Sequence, residues 1–187
     1  MKITCIGDSL TFGYGVKPKE NFVNLLKKNL SVEILNKGQN GDSSAGMLNR
    51  FNRDVLNTNC NICIILAGTN DIFSNRKLED IVDNTLFMVS ECIMNNIIPI
   101  VISPPKTKKS LAELYWSNTI DYNKTNLQLS NLSSLLNKNS KKMNFIFIDI
   151  FDLIPNLDEY YTDGVHLSKL SYILISDEIE KRIAFLL

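Results

Sequence analysis

Short apolar runs alternate along this chain with segments whose apolar residues recur every three or four positions. Residues 2–6 read as a first strand. Residues 21–30 read as a helix with Phe22, Leu25, Leu26 and Leu30 on one face, and residues 32–35 as a second short strand. Met47, Leu48, Phe51 and Val55 have helical spacing, and residues 62–67 form a third, wholly apolar run. Leu78, Ile81, Val82, Leu86, Val89 and Ile93 give the clearest helical period, at steps of three and four. Residues 97–102 predict a fourth strand, which Pro104-Pro105 stops because proline can neither donate nor extend a ladder. A polar, largely helical stretch runs to about residue 141. Residues 145–150 predict a fifth strand, and residues 170–187 a closing amphipathic helix with Ser168 as its N-cap. Such alternation predicts an α/β fold with a parallel sheet covered on both faces.

The remaining bulk properties narrow the class without naming it. At 187 residues the chain suits a single domain, residues 1–187, with a sizeable core. Lys and Arg number 20, as do Asp and Glu. A formal charge of zero argues against nucleic acid or a membrane surface as the main partner. No apolar run reaches the length of a membrane span, and the first residues lead straight into a strand, so a cytoplasmic location is the expectation. Cys60-Asn61-Ile62-Cys63 is a CxxC, but Cys5 and Cys92 form no second pair, and a structural zinc site needs four ligands. The expectation is four buried, reduced cysteines with no metal and no cofactor.

In an open parallel sheet the chemistry gathers where strands give way to loops. Those positions hold Gly7-Asp8-Ser9-Leu10-Thr11 after the first strand, residues 36–42 after the second, Gly68-Thr69-Asn70-Asp71 after the third, and Asp163-Gly164-Val165-His166 after the fifth. A serine hydroxyl needs a base to take its proton, and this chain has one histidine. That base needs a carboxylate to hold its tautomer, and Asp163 stands three residues before His166. Donors for an oxyanion are available from the amide of Ser9, the amide of Gly41 and the side chain of Asn70. Singly, each has a structural reading: Ser9 a helix cap, His166 a surface histidine, Asp163 or Asn70-Asp71 a turn, Gly41 a bend.

Gly7-Asp8-Ser9-Leu10, Gly41, Gly68-Thr69-Asn70-Asp71 and Asp163-Gly164-Val165-His166 resemble the four sequence blocks of the SGNH hydrolases, also called GDSL esterases and lipases, in that family's order. The resemblance implies a flavodoxin-like three-layer α/β/α sandwich on a five-stranded parallel sheet. It implies a serine esterase or acylhydrolase in which Ser9 attacks, His166 is the base, Asp163 orients it, and Ser9, Gly41 and Asn70 form the oxyanion hole. Family spacing favours Asp163 over Asp149 and Asp152 as the acid. Gly38 competes with Gly41 for the second block, which Asn36 and Asp42-Ser43 assign to Gly41. Ser171 stands where many relatives have Gly. Asp8 and Asp71 read as structural, bonding loop amides.

The rival reading is a flavodoxin-like binding module for a phosphate-bearing cofactor, but the chain has neither a GxGxxG nor a P-loop. Within the leading reading the partner is a small-molecule ester, and lipid ester, thioester and O-acetyl sugar all stay open. Rim residues are expected within 12–14, 73–76, 104–116 and 160–162. Lys106, Lys108 and Lys109 are either a solvated loop or an attractor for anionic esters. Leu127, Leu129, Leu132, Leu135 and Leu136 are spaced to bury against the sheet, leaving a shallow groove for a short acyl chain. Oligomeric state is not legible.

Overall fold

The computed structural model describes residues 1–186. Five parallel strands, β1 (Lys2–Gly7), β2 (Glu33–Gly38), β3 (Ile62–Leu66), β4 (Ile98–Ile102) and β5 (Ile146–Ile148), line up in the order β2-β1-β3-β4-β5. This is the doubly wound, flavodoxin-like order. Side chains alternate across the sheet as a two-residue period demands. Ile62, Ile64 and Leu66 face one side with Ile3, Cys5, Ile100, Ile102 and Ile148, while Cys63 and Ile65 face the other with Ile6, Val101 and Phe147.

Helices fill both sides. The first side is covered by α2 (Phe22–Leu30), through Phe22, Val23 and Leu26, and by α8 (Lys169–Ile183), through Tyr172, Ile175, Ile179 and Ile183. The second is covered by α3 (Ser44–Asp54), α5 (Leu78–Met94) and α7 (Tyr122–Met143). Three short helices, α1 (Ser9–Phe12), α4 (Thr69–Phe73) and α6 (Lys109–Tyr115), sit at or near the carboxyl edge of the sheet. The chain winds outward from β1 to β2, then crosses back to β3. The carboxyl ends of β1 and β3 therefore flank the crevice where such sheets bind ligands.

Several boundaries differ from the sequence expectation. The fifth strand is shorter than residues 145–150. Ser103 replaces the ladder there: its Oγ accepts from the Ile150 amide at 2.8 Å and donates to Asp149 at 2.6 Å. Of the α7 leucines, Leu129, Leu132 and Leu136 are buried and Leu135 is partly so, but Leu127 is 62% exposed. It precedes Leu129 by two residues, about 200° around a helix, which turns it to solvent. Ser168 takes the N-cap position of α8, yet its hydroxyl caps no amide. The closing helix gives way to a 3-10 turn over Ala184–Leu186, and Leu187 lies outside the described residues. All four cysteines are buried and unpaired, and burial pushes the Cys5 and Cys63 thiols up, so neither is a reactive thiolate at neutral pH.

Candidate active site

Ser9 opens α1 immediately after β1. Asp8 is the N-cap, its Oδ1 accepting from the Leu10 amide at 2.9 Å. The first amides of a helix have no acceptor within it, so the Ser9 N–H projects from the helix start. His166 and Asp163 come from the loop before α8. An antiparallel bridge between Tyr161 and Leu167 closes that loop, and the Thr162 amide donates to the His166 carbonyl at 2.9 Å. Gly164 turns the chain at φ +88°, and a Cβ there would lie 2.2 Å from the Ala112 nitrogen of α6, so glycine is required on both counts.

The loop delivers the imidazole to the serine. His166 Nε2 lies 3.0 Å from Ser9 Oγ, and its Nδ1 lies 2.7 Å from Asp163 Oδ2. The other carboxylate oxygen, Oδ1, accepts from the amides of Val165 (2.9 Å) and His166 (2.7 Å). Burial works to raise the Asp163 carboxyl. The hydrogen bonds from the His166 ring and from these two amides outweigh it and hold the group below its ordinary value. Asp163 is therefore an anion facing the imidazole. His166 is buried, packed against Tyr14 (ring centroids 4.4 Å apart, tilted) and Trp116 (4.9 Å, edge-on).

Beside this row lies a cavity of about 160 Å³ lined by Ser9, Leu10, Tyr14, Asn40, Gly41, Thr69, Asn70, Trp116, Val165 and His166. Gly41, at φ +74°, has open space where a side chain would stand. Gly38 does not line the cavity. Its amide donates to Asn36 Oδ1 at 2.9 Å, and its Cα packs under the backbone of Phe12. The Asn70 side chain donates to the Asp42 carbonyl at 3.0 Å and approaches Asp8 Oδ2 at 3.4 Å. Asp71 bonds the amide and hydroxyl of Ser44, tying β3's end to α3. Asp149 serves Ser103 and the Phe151 amide, and Asp152 pairs with Lys106.

The rim is narrower than the sequence indicated. Tyr14 and Trp116 line the cavity, whereas Phe73 and Asn75 face a separate hollow with Ile120 and Asp121, and Tyr161 is buried with its hydroxyl on the Lys106 carbonyl. Lys106, Lys108 and Lys109 each have an acidic neighbour in Asp152, Asp158 and Glu113, and none lines the cavity. Ser171 donates to the Tyr160 carbonyl at 2.5 Å and so fastens the loop ahead of Asp163. Leu10, Asn40, Thr69 and Val165 were not anticipated as lining residues, although Leu10, Thr69 and Val165 lie within the sequence blocks and Asn40 adjoins Gly41. Among the described residues no cluster of His, Cys, Asp or Glu is arranged to hold a metal, and no helix is long and apolar enough to cross a membrane.

Fold and strand order thus define a flavodoxin-like α/β/α protein with its cleft at the carboxyl edge. The model of the GDSL-like lipase/acylhydrolase family matches residues 5–172, and the chain belongs to that family. It is a carboxylic ester hydrolase, which removes the binding-module reading. No curated protein matches the sequence. Among solved structures, a GDSL-like lipase from Bacteroides thetaiotaomicron VPI-5482 superimposes with a TM-score of 0.82 at 22% identity, covering 100% of this chain and 89% of its own. The lipase/acylhydrolase from Enterococcus faecalis gives 0.80 at 25% identity, covering 97% and 94%. The psychrotrophic esterase EstA from Pseudoalteromonas sp., in a structure inhibited by monoethylphosphonate, gives 0.76 at 20% identity, covering 99% and 97%.

Proposed function

We propose that the protein hydrolyses small carboxylic esters with short acyl chains through an acyl-enzyme on Ser9. The observation that carries this reading is the hydrogen-bonded row Ser9 Oγ, His166 Nε2 (3.0 Å), His166 Nδ1, Asp163 Oδ2 (2.7 Å). Ser9 Oγ attacks the ester carbonyl as His166 Nε2 takes its proton. The imidazolium that forms is stabilised by the anionic Asp163. The amides of Ser9 and Gly41 and the Asn70 side chain receive the oxyanion. Asn70 exchanges its long 3.4 Å approach to Asp8 for the substrate oxygen while keeping its bond to the Asp42 carbonyl. Collapse expels the alcohol, which takes the proton from Nε2. Water, activated by the same nitrogen, then releases the acid.

The cavity supports a short acyl group. Its volume of about 160 Å³ falls below the roughly 300–1,000 Å³ of sites for drug-sized ligands. Leu129, Leu132 and Leu136, which could have lined a tunnel, are spent in the core.

The test uses purified protein and a nitrophenyl ester. Ser9→Ala and His166→Ala should each lower kcat by roughly 10³- to 10⁶-fold, because such residues act as a unit. A fluorophosphonate probe should label the parent protein and not Ser9→Ala. Normal turnover by Ser9→Ala would end the proposal.

A further inference from the structure

Arg50 lies on α3, outside every recognised motif, and is only 7% exposed. A guanidinium cannot discard its charge, so burying it is costly unless every donor is matched. Here Nε donates to Asp42 Oδ2 at 2.8 Å and Nη1 to Asp54 Oδ2 at 3.0 Å. Nη1 also donates to the Lys37 carbonyl at 2.8 Å, and Nη2 to the Gly7 carbonyl at 3.0 Å. Replacing a buried ion pair by apolar side chains is often neutral for stability, so stability is a weak account of this arrangement.

The acceptors point to a different account. Gly7 is the last residue of β1, two before Ser9. Lys37 is the penultimate residue of β2, and Asp42 follows Gly41. The Asp42 carbonyl in turn holds the Asn70 side chain at 3.0 Å. The three donors assigned to the oxyanion come from the ends of three different strands, and nothing within any one strand sets their separation. The planar fork of Arg50 spans the ends of β1 and β2 directly, and through Asp42 it reaches the residue that grips Asn70.

We propose that Arg50 is a positioning residue that fixes the Ser9, Gly41 and Asn70 donors relative to one another through its bonds to Gly7, Lys37 and Asp42. The assignment rests on the acyl-enzyme reading. Arg50 touches no substrate; it acts on the geometry of groups that stabilise the transition state. Lysine offers a single point charge and cannot span these acceptors.

The experiment compares Arg50→Lys, Arg50→Met and Asp42→Ala with Arg53→Met, in the parent and Asn70→Ala backgrounds. Arg53 serves as control because it bonds the same Asp54 from a side chain 69% exposed and reaches none of the strand ends. Each Arg50 variant should lower kcat about 10- to 100-fold, the cost of a small misplacement of catalytic groups, with KM within about threefold. Affinity for an alkyl trifluoromethyl ketone, whose adduct carries the oxyanion, should fall by the same factor. Arg53→Met should leave kcat unchanged. With Asn70 already alanine, the Arg50 substitution should cost several-fold less than in the parent, since the part of its effect that passes through Asp42 to Asn70 is already gone. Undiminished losses in the Asn70→Ala background, or losses confined to KM, would overturn the proposal. So would unchanged kcat in Asp42→Ala, which keeps Arg50 paired with Asp54 and two carbonyls and reads the same tie should the Arg50 variants fail to fold. Failure of the underlying reading would look different, because Ser9→Ala would then hydrolyse esters at the parent's rate.

Discussion

Asp8 is a carboxyl group sealed beneath the serine it precedes. Burial pushes its pKa up from 3.8 to about 7, with the Asp71 and Asp42 carboxylates adding to the rise and the Leu10 amide and His166 pulling it back. Between those two values the folded chain holds a proton that the unfolded chain has released. Asp8 thus contributes stability that is fully present below pH 3.8 and is lost as pH rises through about 7. Asn at this position keeps an oxygen to accept from Leu10 and does not ionise. Asp8→Asn should therefore gain in thermal midpoint relative to the parent as pH is raised from 5 to 8. Melting curves that shift in parallel at both pH values would show that Asp8 does not titrate in this window. At this scale the sequence was informative where a residue's role depends on its neighbours in the chain. Asp163 and His166, three apart, are bonded to each other as their spacing indicated. Arg50 was invisible, because its acceptors at 7, 37, 42 and 54 converge only when two strands and a loop are packed.

Among the elements, the loop of residues 161–167 and helix α6 depend on one another. The Lys108 amide donates to the Gly164 carbonyl at 2.7 Å, and Trp116, just past α6, packs on the His166 ring. Gly164→Ala would place a methyl 2.2 Å from the Ala112 nitrogen and strain a positive φ. Strain of this kind costs on the order of 1–3 kcal/mol, and displacement of the imidazole by even an ångström costs about 100-fold in rate. Gly164→Ala should lower both the thermal midpoint and kcat. A variant with the parent's kcat and midpoint would mean that α6 yields freely and does not brace the loop. Sequence pattern located the long elements well, since α2, α3, α5 and α7 each keep a periodic apolar face. It overextended β5, where Ser103 ends the ladder through a side chain 46 positions away.

For the molecule as a whole, the sheet order decides where the cavity lies, and the loop residues around it, Tyr14 and Trp116 among them, bound its size. Each methylene buried contributes about 0.8 kcal/mol, so the gain from a longer acyl chain should continue only until the cavity is full. With about 160 Å³ available, kcat/KM should peak between acetyl and roughly hexanoyl esters and then fall. A series of nitrophenyl esters, each below its micelle concentration, measures this directly. A steady rise to long chains would mean that this cavity does not bound the acyl group.

The sequence by itself determined the class of fold, the family and the residues proposed for the chemistry. Hydrophobic periodicity is a local property, and three of the four motifs lie within a few residues of a strand end, the fourth just ahead of α8. Tertiary structure alone decided which lining residues stand beside Ser9, that Lys106, Lys108 and Lys109 face carboxylates, and that Leu127 faces solvent. It alone brought Arg50 to the ends of β1 and β2. These are relations between segments far apart in the chain, and their distances are set by the packing of helices on a twisted sheet, which no single stretch of sequence encodes.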